Sequence, residues 1–338
     1  MHILGFLRDS AWDKMDAVAY YRTYLPLREL NRQIDIEAKC IGKEIDGLSD
    51  DELGGQDIYT MCRMYNEGYQ EFIDEIHRRG GLFVFDSDDD LTETYKLVSG
   101  HGDEFKEVLA AADYVTCTTP NVAILFSEYA QKPVRILRNC VDVAWMQQIA
   151  AGGKRLVDGL TLGFTGSPTH WGDWYIPAVP FARIGKDFPD VTLLLHGECP
   201  RYLGFAAEKA QMLKLGGVPF SIYPILLKQF DIVLCAVDSR DVFNSGKSAI
   251  KALECMALGV VPICSNFRPY LELAAQGAPV VIVADDSRDG WYEAMRDLIT
   301  DDVKRTSLSA YGPEWVRAHR DMTVSGYKRW ESFYREIT

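Results

Sequence analysis

Short apolar runs alternate along the chain with stretches whose apolar residues recur every three or four positions. That is the signature of buried strands alternating with amphipathic helices. The runs predict strands over 3–7, 82–85, 114–117 and 134–137, and a second series over 160–164, 191–196, 232–236, 260–264 and 280–283. Helices are expected over 16–31, 65–79, 104–112, 120–129, 177–185, 224–230 and 247–258, with a helical tail over 314–337. Pro26 is expected to kink or interrupt the first of these. Residues 32–60 alternate too weakly to assign, and 218–223 read as extended. The stretch 150–158, with Gly152 and Gly153, reads as a linker between two units. Each unit implies a parallel sheet covered by helices on both faces, so the fold class is α/β with two Rossmann-like domains.

Composition sharpens this picture in a few places. At 338 residues the chain is long enough for two domains, and 47% hydrophobic and 25% charged residues are ordinary for a globular protein. A net charge of −13 argues against broad nonspecific binding to nucleic acid, leaving only a local basic cleft for such a partner. The eight cysteines are scattered with no CxxC pair, which predicts reduced core thiols in a cytoplasmic protein. No secretory leader and no apolar run of membrane-spanning length is evident, so a soluble protein, at most peripheral to a membrane, is expected. The first strand is not followed by G-x-G-x-x-G, which counts against a nicotinamide or flavin enzyme.

The stretch 243–265, FNSGKSAIKALECMALGVVPICS, carries the most chemistry. Asn244, Ser245 and Gly246 form a polar turn before the expected helix 247–258, which Gly259 ends. Lys247, Lys251 and Glu254, at i, i+4 and i+7, share one polar stripe. Lys247 would stand in the first turn, where the helix dipole disfavours a cation by about 0.3–1 kcal/mol. A phosphate held by the ammonium and the free first-turn N–H groups would remove that conflict, and Glu254 would then accept hydrogen bonds from hydroxyls of the same ligand. The competing reading is a solvated helix face with a Lys251–Glu254 pair.

Asp86, Asp88, Asp89 and Asp90 crowd like charge at a strand end. Three roles compete: capping a following helix, orienting an acceptor hydroxyl through Asp86 or Asp88, or holding a divalent metal as a D-x-D pair.

Two Rossmann-like units without a dinucleotide fingerprint resemble the GT-B glycosyltransferases. The segment around Lys247, Ser248, Lys251 and Glu254, followed by Met256-Ala257 and Gly259-Val260-Val261-Pro262, is similar to the donor-nucleotide helix of the family 4 retaining enzymes. Phe230-Asp231-Ile232 resembles the turn before the preceding strand. Asp113–Thr116, Thr118-Thr119, Leu137-Arg138-Asn139 and Asp142 resemble the end of that family's N-terminal domain, and LGFTGSPTHWGD over 162–173 resembles the start of its C-terminal domain.

The resemblance implies two domains facing a cleft: an acceptor domain over 1–150 and a donor domain over 159–312. A helix over 313–338 would cross back and pack on the N-terminal domain. It implies transfer of a sugar from a nucleoside diphosphate sugar to an acceptor hydroxyl, with retention at the anomeric carbon. Glu254 would hold the ribose, and Lys247, with Lys251 second, the diphosphate. The family's E-x7-E pattern asks for an acid at 246, where this chain has Gly246. Thr165, Gly166, Ser167 and Ser248 are further donor-side candidates. Asp86, His170 and Lys247 are candidates for the chemistry, and Tyr21, Arg22 and Asp88 for the acceptor side. No cofactor beyond the nucleotide sugar is required on this reading, although a divalent metal at the aspartates stays open. The acceptor is open too: a glycan, a lipid-linked glycan, a small molecule or a modified DNA base. So are two other classes, an epimerase-like sugar-nucleotide enzyme and a catalytically silent binding module.

Overall fold

The computed structural model describes residues 1–7, 14–42, 49–63, 68–92, 102–166, 172–197, 211–241 and 243–338. The chain divides into two compact units. The first comprises Met1–Cys140, Ser245–Ser248 and Met322–Thr338, and the second Val141–Asn244 and Ala249–Asp321.

The first unit is built on strands β1 (His2–Leu7), β2 (Glu37–Gly42), β3 (Ile58–Cys62), β4 (Leu82–Ser87), β5 (Tyr114–Cys117) and β6 (Val134–Ile136). They form one parallel sheet in the order β2-β1-β3-β4-β5-β6. The order reverses between β1 and β3, and the carboxyl ends of those two strands flank the crevice in which open α/β sheets bind ligands. One face is sealed by aromatic rings: Phe85 meets Phe105 edge-on at 5.8 Å, and Phe105 meets Phe126 at 5.7 Å. The C-terminal helix, Tyr327–Ile337, belongs to this unit and buries Trp330, Phe333 and Tyr334. Its expected continuity back to 314 is broken. The preceding helix, Asp302–His319, stops at Arg320, whose carbonyl accepts the Val141 N–H at 2.9 Å, and Asp321 forms an isolated parallel bridge with Val141.

The first helix is also interrupted, though not as a simple kink. Ala17–Ala19 leads into a π-helical stretch, Tyr20–Tyr24, and then Leu25–Leu30. In a regular α-helix the Pro26 ring would strike the carbonyl of residue 22. The wider turn relieves that clash, and the Leu25 N–H donates to Tyr20 O, five residues back. The extra residue brings Tyr20, Tyr21, Arg22 and Thr23 all into the interior, more consecutive positions than one face of an α-helix can bury.

The second unit has β7 (Thr161–Gly166), β8 (Thr192–Gly197), β9 (Met212–Leu215), β10 (Ile232–Cys235), β11 (Val261–Ser265) and β12 (Val281–Val283). Its parallel sheet runs β12-β11-β10-β7-β8-β9, the dinucleotide-fold order, with its reversal between β7 and β10. Leu162, Phe164, Leu193, Leu195, Ile232, Leu234 and Ile263 pack beneath Trp174, Phe181, Trp291 and Met295. The segment read as extended, 218–223, instead turns through a short 3-10 helix, Phe220–Ile222, into the helix Tyr223–Leu227, which Pro224 starts from its first turn. Among the described residues no helix is long and apolar enough to cross a membrane, and the described cysteines are free thiols.

Candidate functional site

The helix expected over 247–258 spans Ile250–Ala257, preceded by a 3-10 turn over Phe243–Gly246. Lys247 therefore stands three residues ahead of the helix, and the dipole conflict that singled it out does not arise there. The lysine in the first turn is Lys251, with Glu254 one turn on. The sequence stripe is also divided between the units. Lys247 and Ser248 belong to the first, Lys251 and Glu254 to the second. Glu254 is not on a solvated face, being only 7% exposed. An ionised carboxylate is costly to bury unless it meets donors, so this acid differs in kind from the surface partner of a lysine.

At the carboxyl ends of β7 and β8, Thr165 and His196 are direct cross-strand partners. Thr165 Oγ1 lies 2.7 Å from His196 Nδ1 and 3.3 Å from the Tyr223 hydroxyl, and both Thr165 and His196 are buried. Burial, and secondarily the charge of Glu254, pushes the Tyr223 hydroxyl well above its ordinary value. Gly166 and Gly197 are paired at the strand ends, and Gly197 has φ +91°. A Cβ there would fall 2.0 Å from Gly166 O, so the two strand ends approach closely with no side chain between them.

Across the β7/β10 reversal, Asp173 acts as a staple. Its Oδ1 accepts the Asp238 N–H at 2.7 Å and the Asn244 side-chain amide at 2.8 Å, tying the segment after β7 to the loop after β10. Ser167 and His170, expected to contribute from the same loop, lie outside the described residues.

Burial lowers the His196 pKa to about 4, so the ring is neutral in the fold. A base whose pKa falls on folding is protonated first in the unfolded chain. Stability should therefore decline as pH drops from about 6.5 towards 4, by on the order of 2–3 kcal/mol. Denaturation curves across that window test this: His196→Gln should flatten the decline.

In the first unit the aspartates divide their work. Asp86 is 1% exposed and takes two parallel bonds from Arg22, at 2.9 Å from Nε and 2.6 Å from Nη2, plus a third from the Thr116 hydroxyl at 2.5 Å. Arg22 Nη1 donates to Leu137 O at 2.5 Å and Asn139 Oδ1 at 3.0 Å, and its guanidinium lies 4.9 Å from the Trp330 ring centre. Asn139 in turn donates to the Ser248 hydroxyl at 3.0 Å. A buried polar chain thus runs Thr116–Asp86–Arg22–Asn139–Ser248. The sequence singled out Asp86 and Arg22 for an acceptor. Here their polar atoms are taken up by each other and by the surrounding frame. Tyr21, another acceptor-side candidate, is buried with its ring edge-on to Tyr20.

Asp88 and Asp89 both pair with Arg63, which follows β3 at φ +59°. A left-handed backbone at a non-glycine residue beside the β1/β3 reversal is strain that the surrounding ion pairs hold in place. Burial pushes the Asp88 carboxyl up to about 6 against the pull of Arg63. Asp90 accepts from the N–H and hydroxyl of Thr92, the capping arrangement. Among the described residues no group of three or more His, Cys, Asp or Glu side chains is arranged to hold a metal.

Gly246, where the related pattern has an acid, is buried within the first unit. A Cβ there would sit 3.1 Å from a Val122 methyl and 3.4 Å from Asp90 N, so the position is filled by packing. The same segment is held by Thr119, whose hydroxyl donates to Gly246 O at 3.4 Å, and by Asn121, whose amide donates to Ser245 O at 3.2 Å.

No protein-family model matches the sequence, and no curated protein matches it. Solved structures do match. HepE from Anabaena in complex with UDP-glucose superposes with a TM-score of 0.68 at 13% identity, covering 99% of this chain and 100% of that one. Sucrose-phosphate synthase from Thermosynechococcus elongatus gives 0.64 at 13% identity, covering 100% and 99%. The E. coli trehalose-6-phosphate synthase bound with UDP-2-fluoro glucose gives 0.60 at 14%, covering 84% and 74%. At such identities the likeness establishes the fold, which is GT-B.

Proposed function

We propose that the protein transfers a sugar from a nucleoside diphosphate sugar to an acceptor hydroxyl, with retention at the anomeric carbon. The observation that carries the reading is Glu254, a nearly buried carboxylate one turn after Lys251. It stands in a fold shared with proteins solved with UDP-glucose and UDP-2-fluoro glucose. A buried acid in that position suits the two hydroxyls of a ribose. The reaction needs stabilisation of the negative charge that grows on the leaving diphosphate. Lys251, in the first turn of Ile250–Ala257, supplies it together with the positive end of that helix, with Thr165 and Gly166 at the β7 end. Lys247, Ser248, Ser167 and His170 remain candidates for further donor contacts, and Asp88 for the acceptor.

On this reading no dedicated metal is needed. The two carboxylates of the D-x-D pair are each engaged by an arginine, Asp86 by Arg22 and Asp88 by Arg63, which supplies the positive charge a cation would bring. Incubation with UDP-, GDP- and ADP-sugars and a panel of hydroxylic acceptors tests the proposal. Free nucleoside diphosphate should appear in step with a glycosylated product, and EDTA should leave the rate unchanged. Release of an epimerised sugar nucleotide, or tight nucleotide binding without turnover, would favour the epimerase or silent-module reading instead.

A further inference from the structure

The segment just ahead of the helix Ile250–Ala257 belongs to the first unit, although the chain on either side of it belongs to the second. Side chains of the first unit hold Ser245–Ser248 in place. Thr119 Oγ1 donates to Gly246 O at 3.4 Å, Asn121 Nδ2 to Ser245 O at 3.2 Å and Asn139 Nδ2 to Ser248 Oγ at 3.0 Å. The first two end on main-chain carbonyls and fix where the segment lies. The third ends on a side-chain hydroxyl, and it comes from a residue tied to the buried Arg22–Asp86 pair.

The direction of these bonds follows from their members. A guanidinium only donates, so Arg22 Nη1, at 3.0 Å, faces the amide oxygen of Asn139. The NH2 group of Asn139 is thereby turned to Ser248, whose Oγ accepts from it. That NH2 group offers no lone pair, so the Ser248 proton cannot point back at Asn139. Asn139 is buried, and Asp86 holds Arg22 with two parallel bonds, so the amide is not free to turn over. Ser248 is only half-buried and keeps part of its surface open.

We infer that Asn139 is a positioning residue for the donor, turning the Ser248 hydroxyl towards the diphosphate. This rests on the proposed binding of a nucleoside diphosphate sugar at Ile250–Ala257. Ser248 stands two residues before Ile250 and three before Lys251, at the positive end of that helix. Diphosphate oxygens only accept, so they suit a hydroxyl whose proton is directed away from Asn139. A sugar hydroxyl can donate or accept, and draws no such benefit from a serine fixed in direction.

The test is calorimetric binding of UDP, GDP and ADP to the full-length protein and to Asn139→Leu, Ser248→Ala, their double variant, Ser248→Thr and Glu254→Ala. Each is measured at a temperature where it is folded, with melting temperatures recorded alongside. Asn139→Leu is close in size and removes both polar contacts. It should weaken the nucleotide that wild type prefers by about five- to tenfold, and Ser248→Ala by about tenfold, the scale of one hydrogen bond to a charged group. The double variant should bind within about twofold of Ser248→Ala, because Asn139 acts through that hydroxyl. Ser248→Thr, which restores a hydroxyl, should recover most of the affinity. A leucine variant that melts earlier but keeps its affinity would make Asn139 a partner of Arg22 alone and overturn the inference. Losses that multiply in the double variant overturn it too. So does full affinity in Ser248→Ala, a half-buried position that decides the point even where Asn139→Leu fails to fold. If no nucleotide binds wild type, or binding is unaltered in Glu254→Ala, the proposed function itself is overturned.

Discussion

Glu254→Ala is expected to remove most of the stabilisation that a nucleoside diphosphate gives the fold. A ligand at about 100 times its Kd adds about 2.7 kcal/mol to stability. Losing a carboxylate that accepts from two ribose hydroxyls should cost about 3 kcal/mol of binding, on the order of 100-fold in Kd. At the same ligand concentration the variant would then gain only about 0.4 kcal/mol. The unliganded melting temperature should hardly fall. Alanine is the better helix former, which offsets what the replaced side chain contributes to the unliganded fold. Thermal denaturation with and without UDP or GDP reads both numbers. A variant that melts early but keeps its full ligand shift would make Glu254 a packing residue.

The second large effect lies in the first unit and concerns stability. Arg22→Ala leaves the Asp86 carboxylate, Leu137 O and Asn139 Oδ1 without their shared donor in a buried site. Breaking one side of a buried ion pair costs about 3–5 kcal/mol, a large share of the margin of an ordinary domain. Asp86→Ala should cost a similar amount. Replacing both residues with apolar side chains, Arg22→Met with Asp86→Leu, should recover much of the loss, because the penalty comes from the unpaired charge and not from the missing attraction. Urea denaturation of the three variants checks this. Wild-type midpoints in both single variants, accompanied by lost turnover, would return Arg22 and Asp86 to the chemistry.

Sequence patterning carried the architecture because the strands of a doubly covered parallel sheet are continuous apolar runs. Ile232–Cys235 and Val261–Ser265 could be read directly. It failed where a strand lies at an edge or mixes in polar residues. Glu37–Gly42 and Met212–Leu215 are edge strands with a lysine in each, and Ile58–Cys62 is buried but short and carries Thr60. The site was legible in part. Glu254 stood out by its spacing, but the helix start was placed three residues early. Residues 243–246 close a 3-10 turn and 245–248 pack on the first unit, so the α-helix begins only at Ile250.

Arg22 shows the opposite difficulty. A charged residue in a helix reads as surface, and only the π-helical turn ahead of Pro26 carries it inward. His196 left almost no trace, since a histidine ending an apolar run is indistinguishable from a strand terminus until Thr165 and Tyr223 are seen beside it.

The most direct measurement is a crystal structure of the protein soaked with UDP or GDP. The account predicts the ribose hydroxyls within about 3 Å of the Glu254 carboxylate, a hydrogen-bonding distance. It also predicts the diphosphate against Lys251 and the first turn of Ile250–Ala257. A nucleotide bound elsewhere, or one with its ribose turned away from Glu254, would contradict it.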